Sequence, residues 1–259
     1  MGLVAENTGF KKFLAVKTTN DKWLFDTTPM LQWFEHQCPE PSISPDDPAL
    51  RFISLLFDEW LWRPSMWWRW MPRASRWAIG WIIGFEFAGR TLARPAGWYF
   101  GRRQLREWLW GDGVTKQNSG DVRDMLFCEF KFLEPLLEEQ PYQLGSYPSA
   151  ADFGYFGSMF RHFGNDPEPA EVVRRNGPNT YEWLARLWNA KPTKLQAEQS
   201  WVWPKADYWG PILERLSQDY LPYLHQNSIA FREGKKRFDH SGKTFQFNNT
   251  KTTNYRVYC

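Results

Sequence analysis

The least interrupted apolar pattern in the chain runs from 147 to 163, YPSAADFGYFGSMFRHF, with Phe153, Phe156 and Phe160 at helical spacing and hardly any charge. A helix apolar on most sides is expected to be buried. Ser149 and Asp152 stand three residues apart just before it, in the spacing of a capping box with Asp replacing the usual Glu. The hydroxyl can accept from the N–H at 152, and the carboxylate can reach back to the N–H at 149. The negative charge also suits the positive end of the helix. Gly154 and Gly157 are both expected to let neighbouring elements approach closely.

Helical periods recur along much of the chain. The segment 119–139 is expected to turn Met125, Phe132, Leu133, Leu136 and Leu137 toward a core. After a loop at 164–169 come a short helix (AEVVRR), a longer one over 178–190 and a last one over about 206–233. Upstream, Ser44-Pro45-Asp46-Asp47 combines a cap, a proline for the first helical position and acids for the first turn. It predicts a helix from about 45 to 70 carrying Leu50, Ile53, Leu56, Phe57, Trp60 and Leu61, kinked at Pro64. Two more are predicted over 73–93 and 98–110.

The ends of the chain differ. FLAV (13–16) and KWLF (22–25) flank the turn-forming TTND and predict a hairpin. DTTPMLQWFE follows as a helix start, with Asp26 or Thr27 as cap and Pro29 in the first turn. CPEPSISPDDP is then a linker. From about 236 the pattern alternates, which predicts a small antiparallel tail with turns at Gly242 and Asn248-Asn249.

Composition narrows the function classes. With 42% hydrophobic and 24% charged residues the chain is globular, and an 18% aromatic share with 17 Trp points first to bulky core packing. A net charge of +3 without a base-reading motif disfavours nucleic acid. Cys38, Cys128 and Cys259 form neither a metal-spaced cluster nor a disulfide framework, so a cytoplasmic location is expected. No secretory leader is read in the first residues, and the most apolar stretch, 77–87, is about half the ~20 residues of a membrane span.

Candidate chemistry is sparse. His36 and Cys38 are two potential ligands without a third, so no metal is expected. Cys128 reads as a buried inert thiol, and His162 as a partner of the helix C-terminus before a catalytic base. Arg90, Arg94, Arg102, Arg103 and Arg106 read as a solvated face, with a phosphate or carboxylate site at an anionic membrane surface as the sharper alternative. Trp60 and Trp67 lie seven apart on one helical face; core packing leads there, ahead of an apolar ligand pocket.

Taken together, Ser149-Ala150-Ala151-Asp152 in SxAD form, the loop from Gly145 to Pro148 before it, and DTTPMLQWFE followed by a proline-rich linker resemble the glutathione S-transferase family over roughly residues 10–234. The resemblance implies a mainly α fold: a truncated thioredoxin-like β-β-α remnant at 1–38, a glutathione S-transferase C-terminal-like helical bundle at 39–234 and a short β tail at 235–259. It carries the family's γ-glutamyl-binding pair to Asp26 and Thr27, and the co-substrate pocket to Trp60 and Trp67. The chain departs from the family at Leu14, which stands where the family has a cis-proline that contacts glutathione. A non-proline cis bond costs ~3 kcal/mol, so a trans bond is expected at Leu14. The family's catalytic Ser, Cys or Tyr segment has no counterpart in this sequence, so no catalytic residue is assigned.

The expected function is transfer of glutathione to an apolar electrophile, if the missing N-terminal unit is supplied. The alternative is a non-catalytic protein that binds an apolar ligand or a protein partner. No cofactor is implied beyond glutathione as co-substrate. A homodimer is compatible with the resemblance and nucleic acid is not an expected partner, while peripheral association with a membrane surface through tryptophan and arginine ranks third, below the other two readings.

Overall fold

The computed structural model describes residues 2–8, 15–25, 27–60, 89, 91–99, 102, 119–165, 167–195, 198–243 and 246–252. A short helix, α1 (Gly2–Thr8), opens the chain, and no sequence signal anticipated it. Strands β1 (Ala15–Lys17) and β2 (Trp23–Phe25) pair antiparallel, with Val16 opposite Leu24. The predicted turn closes them through Thr18 N–H to Lys22 O (2.8 Å), and Asp21 takes φ 59°, which a short Asp tolerates. Helix α2 (Thr27–Gln37) follows directly.

The next helix, α3 (Pro48–Trp60), begins three residues later than predicted. Asp47 caps it, its Oδ1 accepting from the N–H groups of Ala49 (2.9 Å) and Leu50 (2.8 Å), and Pro48 takes the first position. Ser44 stays in the linker, where its N–H donates to the Glu35 carboxylate on α2 (3.2 Å). The same carboxylate accepts from Ile43 N–H (3.0 and 3.1 Å) and the Ser42 hydroxyl (2.5 Å), which pins the linker to α2. The predicted continuation to 70, with Leu61, the kink at Pro64 and Trp67, lies outside the described residues.

A helix α4 covers 91–99. It bridges positions 94–97, where the sequence reading left a gap between two helices; the rest of those helices lies outside the described residues. Then α5 (Ser119–Glu139) takes its predicted bounds, with Phe132, Leu133, Leu136 and Leu137 buried as expected.

Helix α6 (Ala150–Ser158) continues into a π-helical turn, Met159–Gly164. Its fully buried face is Ala151, Tyr155, Met159 and Phe163, spaced by four. Phe153, Phe156 and Phe160, expected inside, are only half-buried. Phe160 stacks on the Trp188 ring at 4.6 Å and 9°, and Phe156 stacks on Phe160 at 4.8 Å and 20°. These flanking rings therefore lie at the margin of the core, packed against it on one side and on one another and Trp188 on the other.

Next, α7 (Pro167–Asn176) starts inside the predicted loop, and α8 (Pro178–Trp188) follows. Glu134 of α5 caps α8 from outside: its Oε1 accepts from Thr180 N–H (2.8 Å) and the Thr180 hydroxyl (2.6 Å), and its Oε2 from Asn179 N–H (3.0 Å). The last helical stretch is α9 (Ala206–Arg215), a π-helical segment (Leu216–Tyr220) and α10 (Leu221–Arg232), which together match the predicted span.

The tail pairs β3 (Arg237–Ser241) with β4 (Gln246–Lys251) antiparallel. Asn248 and Asn249 lie within β4, not in a turn. The hairpin packs on α10: Tyr223 meets Phe238 at 5.2 Å and His240 at 5.3 Å, and His240 Nδ1 donates to Gln226 Oε1 at 2.9 Å.

The core gathers where α3, α5, α6 and α9 meet. Phe57 packs edge-on to Trp209 at 4.4 Å and parallel to Phe132 at 5.9 Å, with Tyr155 beside it at 6.1 Å. Each ring buries on the order of 150–250 Å². This accounts for part of the aromatic excess, but not all of it. The protein is thus mainly α, with a two-stranded antiparallel sheet near each end of the described chain.

Candidate functional site

Three helices converge at Asp58. Its side chain is buried on α3, and its Oδ2 accepts from the Thr28 hydroxyl of α2 at 2.8 Å. Its backbone lies against α6: a Cβ on Gly154 would stand 2.4 Å from Asp58 Cα and 2.6 Å from Asp58 O. One turn earlier, the Ser54 hydroxyl accepts from Ala151 N–H at 3.2 Å. The linker closes the arrangement, as Ala150 N–H donates to Ile43 O at 3.1 Å. The start of α2 is thereby fixed against α3 two residues before that helix reaches Trp60.

Of the residues singled out from the sequence, Thr27 is the first residue of α2 and is half-buried. Trp60 is the last residue of α3, and its side chain lies outside the described residues. Leu14, Asp26 and Trp67 lie outside them too, as does the side chain of His162. The first turn of a helix presents N–H groups that have no acceptor within the helix, together with the positive end of the dipole. In α2 the first turn is Thr27, Thr28 and Pro29, so Thr27 and Thr28 each bring an N–H there and Pro29 brings none.

The capping box forms. Ser149 N–H donates to Asp152 Oδ2 at 2.8 Å, and the Ser149 hydroxyl donates to the same oxygen at 2.7 Å. Oδ1 accepts from Gln143 N–H and from the Trp183 indole, both at 2.9 Å. Asp152 is fully buried. Burial pushes its carboxyl above the ordinary range, and the four hydrogen bonds pull the other way. A residue recognised from sequence as a helix cap is therefore also the anchor for the loop before α6 and for α8.

Nearby, the Tyr155 hydroxyl donates to the buried Glu129 carboxylate at 2.8 Å. Burial first, then the adjacent carboxylate, holds this phenol well above its ordinary value. Neither the Glu129–Tyr155 bond nor the Thr28–Asp58 bond was foreseen. Both join residues 26 or more apart in the chain, and no local spacing marks them.

Cys38 is exposed and Cys128 is half-buried, so Cys128 is less enclosed than expected; it sits on the rim of α5 rather than in its buried face. Among the described residues no three His, Cys, Asp or Glu side chains cluster to hold a metal, and no helix is long and apolar enough to cross a membrane.

Among the solved structures similar to this chain are two glutathione S-transferases. One is a glutathione S-transferase from Rhodospirillum rubrum F11, at 13% identity and TM-score 0.44 over 80% of each chain. The other is a glutathione S-transferase from Methylobacterium radiotolerans JCM 2831 in complex with glutathione sulfonate, at 14% identity and TM-score 0.40 over 78% of this chain and 80% of that one. No family model matches the chain, and no curated protein sequence matches it.

Proposed function

We propose that this chain is a glutathione S-transferase-like protein that binds glutathione at the start of α2 and an apolar co-substrate beside the end of α3. In this reading the Thr27 hydroxyl and the first-turn N–H groups of α2 receive the γ-glutamyl carboxylate and Asp26 meets its ammonium group, while Leu14 takes the place of the family's cis-proline without its cis bond. Trp60 and Trp67 line the apolar pocket. The observation that carries the reading is the Thr28–Asp58 hydrogen bond, because it ties the proposed glutathione end to the helix that leads to Trp60. Holding two reactants in register is the larger part of what such a site contributes to transfer. Activation of the thiol is not assigned to any residue of this chain.

Calorimetry with glutathione tests the binding step. The wild type is expected to bind, and Thr27→Ala to bind about ten-fold more weakly, since a hydrogen bond to a charged group is worth about 1.5–3 kcal/mol. Absence of binding by the wild type, or equal binding by the variant, would overturn the assignment. Turnover of a generic apolar electrophile then separates the two readings. Binding with turnover supports a transferase, whereas binding without it supports the non-catalytic binding protein.

A further inference from the structure

Helix α4 buries only a narrow stripe, Ala93 and Gly97, one turn apart. Ala96 is half-buried and the other described residues of the helix are exposed, large apolar side chains among them. Leu92 is 57% exposed, Trp98 52% and Tyr99 56%. Arg94, Trp98 and Arg102 follow at intervals of four, and Leu92 and Tyr99 sit seven apart on the adjoining ridge. Arg94 and Arg102 are exposed, and the Arg102 guanidinium lies over the Trp98 ring at 5.3 Å. An ordinary solvated helix face does not carry large apolar rings between guanidinium groups.

The sequence around α4 shows the same chemistry at larger scale. Residues 60–110 contain ten of the 17 tryptophans and nine arginines against two acids, Glu86 and Glu107, with no lysine. That stretch carries a net +7 (nine minus two) in a chain whose total is +3, so the rest of the chain is net negative.

We propose that the outer face of α4 docks on an anionic lipid bilayer surface. The charge selects an anionic partner. The side chains select a bilayer over the other anionic candidates: Trp and Tyr favour the headgroup layer, Leu the acyl boundary just beneath it, and arginine the lipid phosphates. Leu92 has no counterpart in the stacking and phosphate contacts by which single-stranded nucleic acid is held. With Leu92, Trp98 and Tyr99 exposed, the proposal departs from the expectation from sequence, which ranked a membrane surface below the other partners. Docking of this kind lies at the surface and needs no spanning helix.

Co-sedimentation of the full chain with vesicles tests the proposal. Vesicles of phosphatidylcholine with 30% phosphatidylserine are compared with pure phosphatidylcholine at low and high salt. The wild type is expected to pellet with the anionic vesicles at low salt, at least ten-fold more than with neutral ones, and to be released by high salt. Arg94→Glu/Arg102→Glu and, separately, Leu92→Ser/Trp98→Ser are each expected to lower partition at least ten-fold with unchanged circular dichroism. Trp188→Ser, an equally exposed aromatic elsewhere on the surface (63%), is expected to leave partition unchanged. No pelleting, equal pelleting with neutral vesicles, insensitivity to both double variants, sedimentation without vesicles, or capture of a single-stranded oligonucleotide in place of vesicles would each overturn it.

Discussion

At the scale of single residues, Asp152 does the most for the least exposed surface. Four donors converge on it, from α6's own cap, the loop at Gln143 and the indole of Trp183. Asp152→Ala would leave two buried N–H groups and an indole N–H without acceptors, at a cost of at least about 3 kcal/mol, read as a lower urea midpoint. The sign of its pH dependence follows from the raised carboxyl. Above the unfolded value near 4, the native state holds this proton more tightly than the unfolded chain does. This contribution is therefore fully present below that value and is lost as pH rises through the folded one. Urea midpoints across pH 3–8 for the wild type and Asp152→Asn should differ by that slope, which the variant lacks.

At the scale of elements, the two glycines of α6 have opposite circumstances that the sequence made look alike. Gly154 is pressed against the α3 backbone, with Asp58 Cα only 2.4 Å from where a Cβ would stand. Gly157 is exposed and meets nothing within 4 Å. Gly154→Ala should force α3 and α6 apart and cost about 1–3 kcal/mol or more. Gly157→Ala should stabilise by about 0.5–1 kcal/mol, because a helical glycine loses that much relative to alanine. Thermal unfolding of the pair checks both signs. Equal effects would mean that the close crossing at Asp58 is not where the helices touch. Gly145 is constrained in another way, by φ +134° and by Ser200 O lying 2.1 Å from a hypothetical Cβ. That close approach seats the segment from Ser200 to Val202 on the loop before α6, where Val202 N–H donates to Leu144 O at 2.9 Å.

At the scale of the molecule, the question is how the strand-strand-helix unit is held to the helices. Polar ties among the described residues do it: Thr28 to Asp58, and the Glu35 carboxylate to the linker, which in turn meets Ala150 and accepts from Gln199 Nε2 at Ser42 O. Thr28→Val should therefore lower hydrogen-exchange protection across 15–37 and leave protection in α5 and α8 unchanged. A uniform loss of protection would show instead that the two parts open together. The sequence by itself determined α2, α5, α6, α8 and the last helical stretch, the hairpin near the start, the Ser149–Asp152 cap and the buried face of α5. Each of these depends on neighbours three or four residues away or on a turn, and such short-range physics is written in local spacing. It missed the start of α3, since Asp47-Pro48 and Ser44-Pro45 are equivalent signals in sequence, and in the fold Asp47 caps while Glu35 holds Ser42 to Ser44 in the linker. Only the tertiary structure decided that, together with the half-burial of Phe156 and Phe160 at the core margin, the exposure of Trp98, the divergence of the two glycines, and the Asp58 and Glu129 bonds. Every one of them turns on which distant segment lies opposite, and packing partners far apart in the chain leave no period to read.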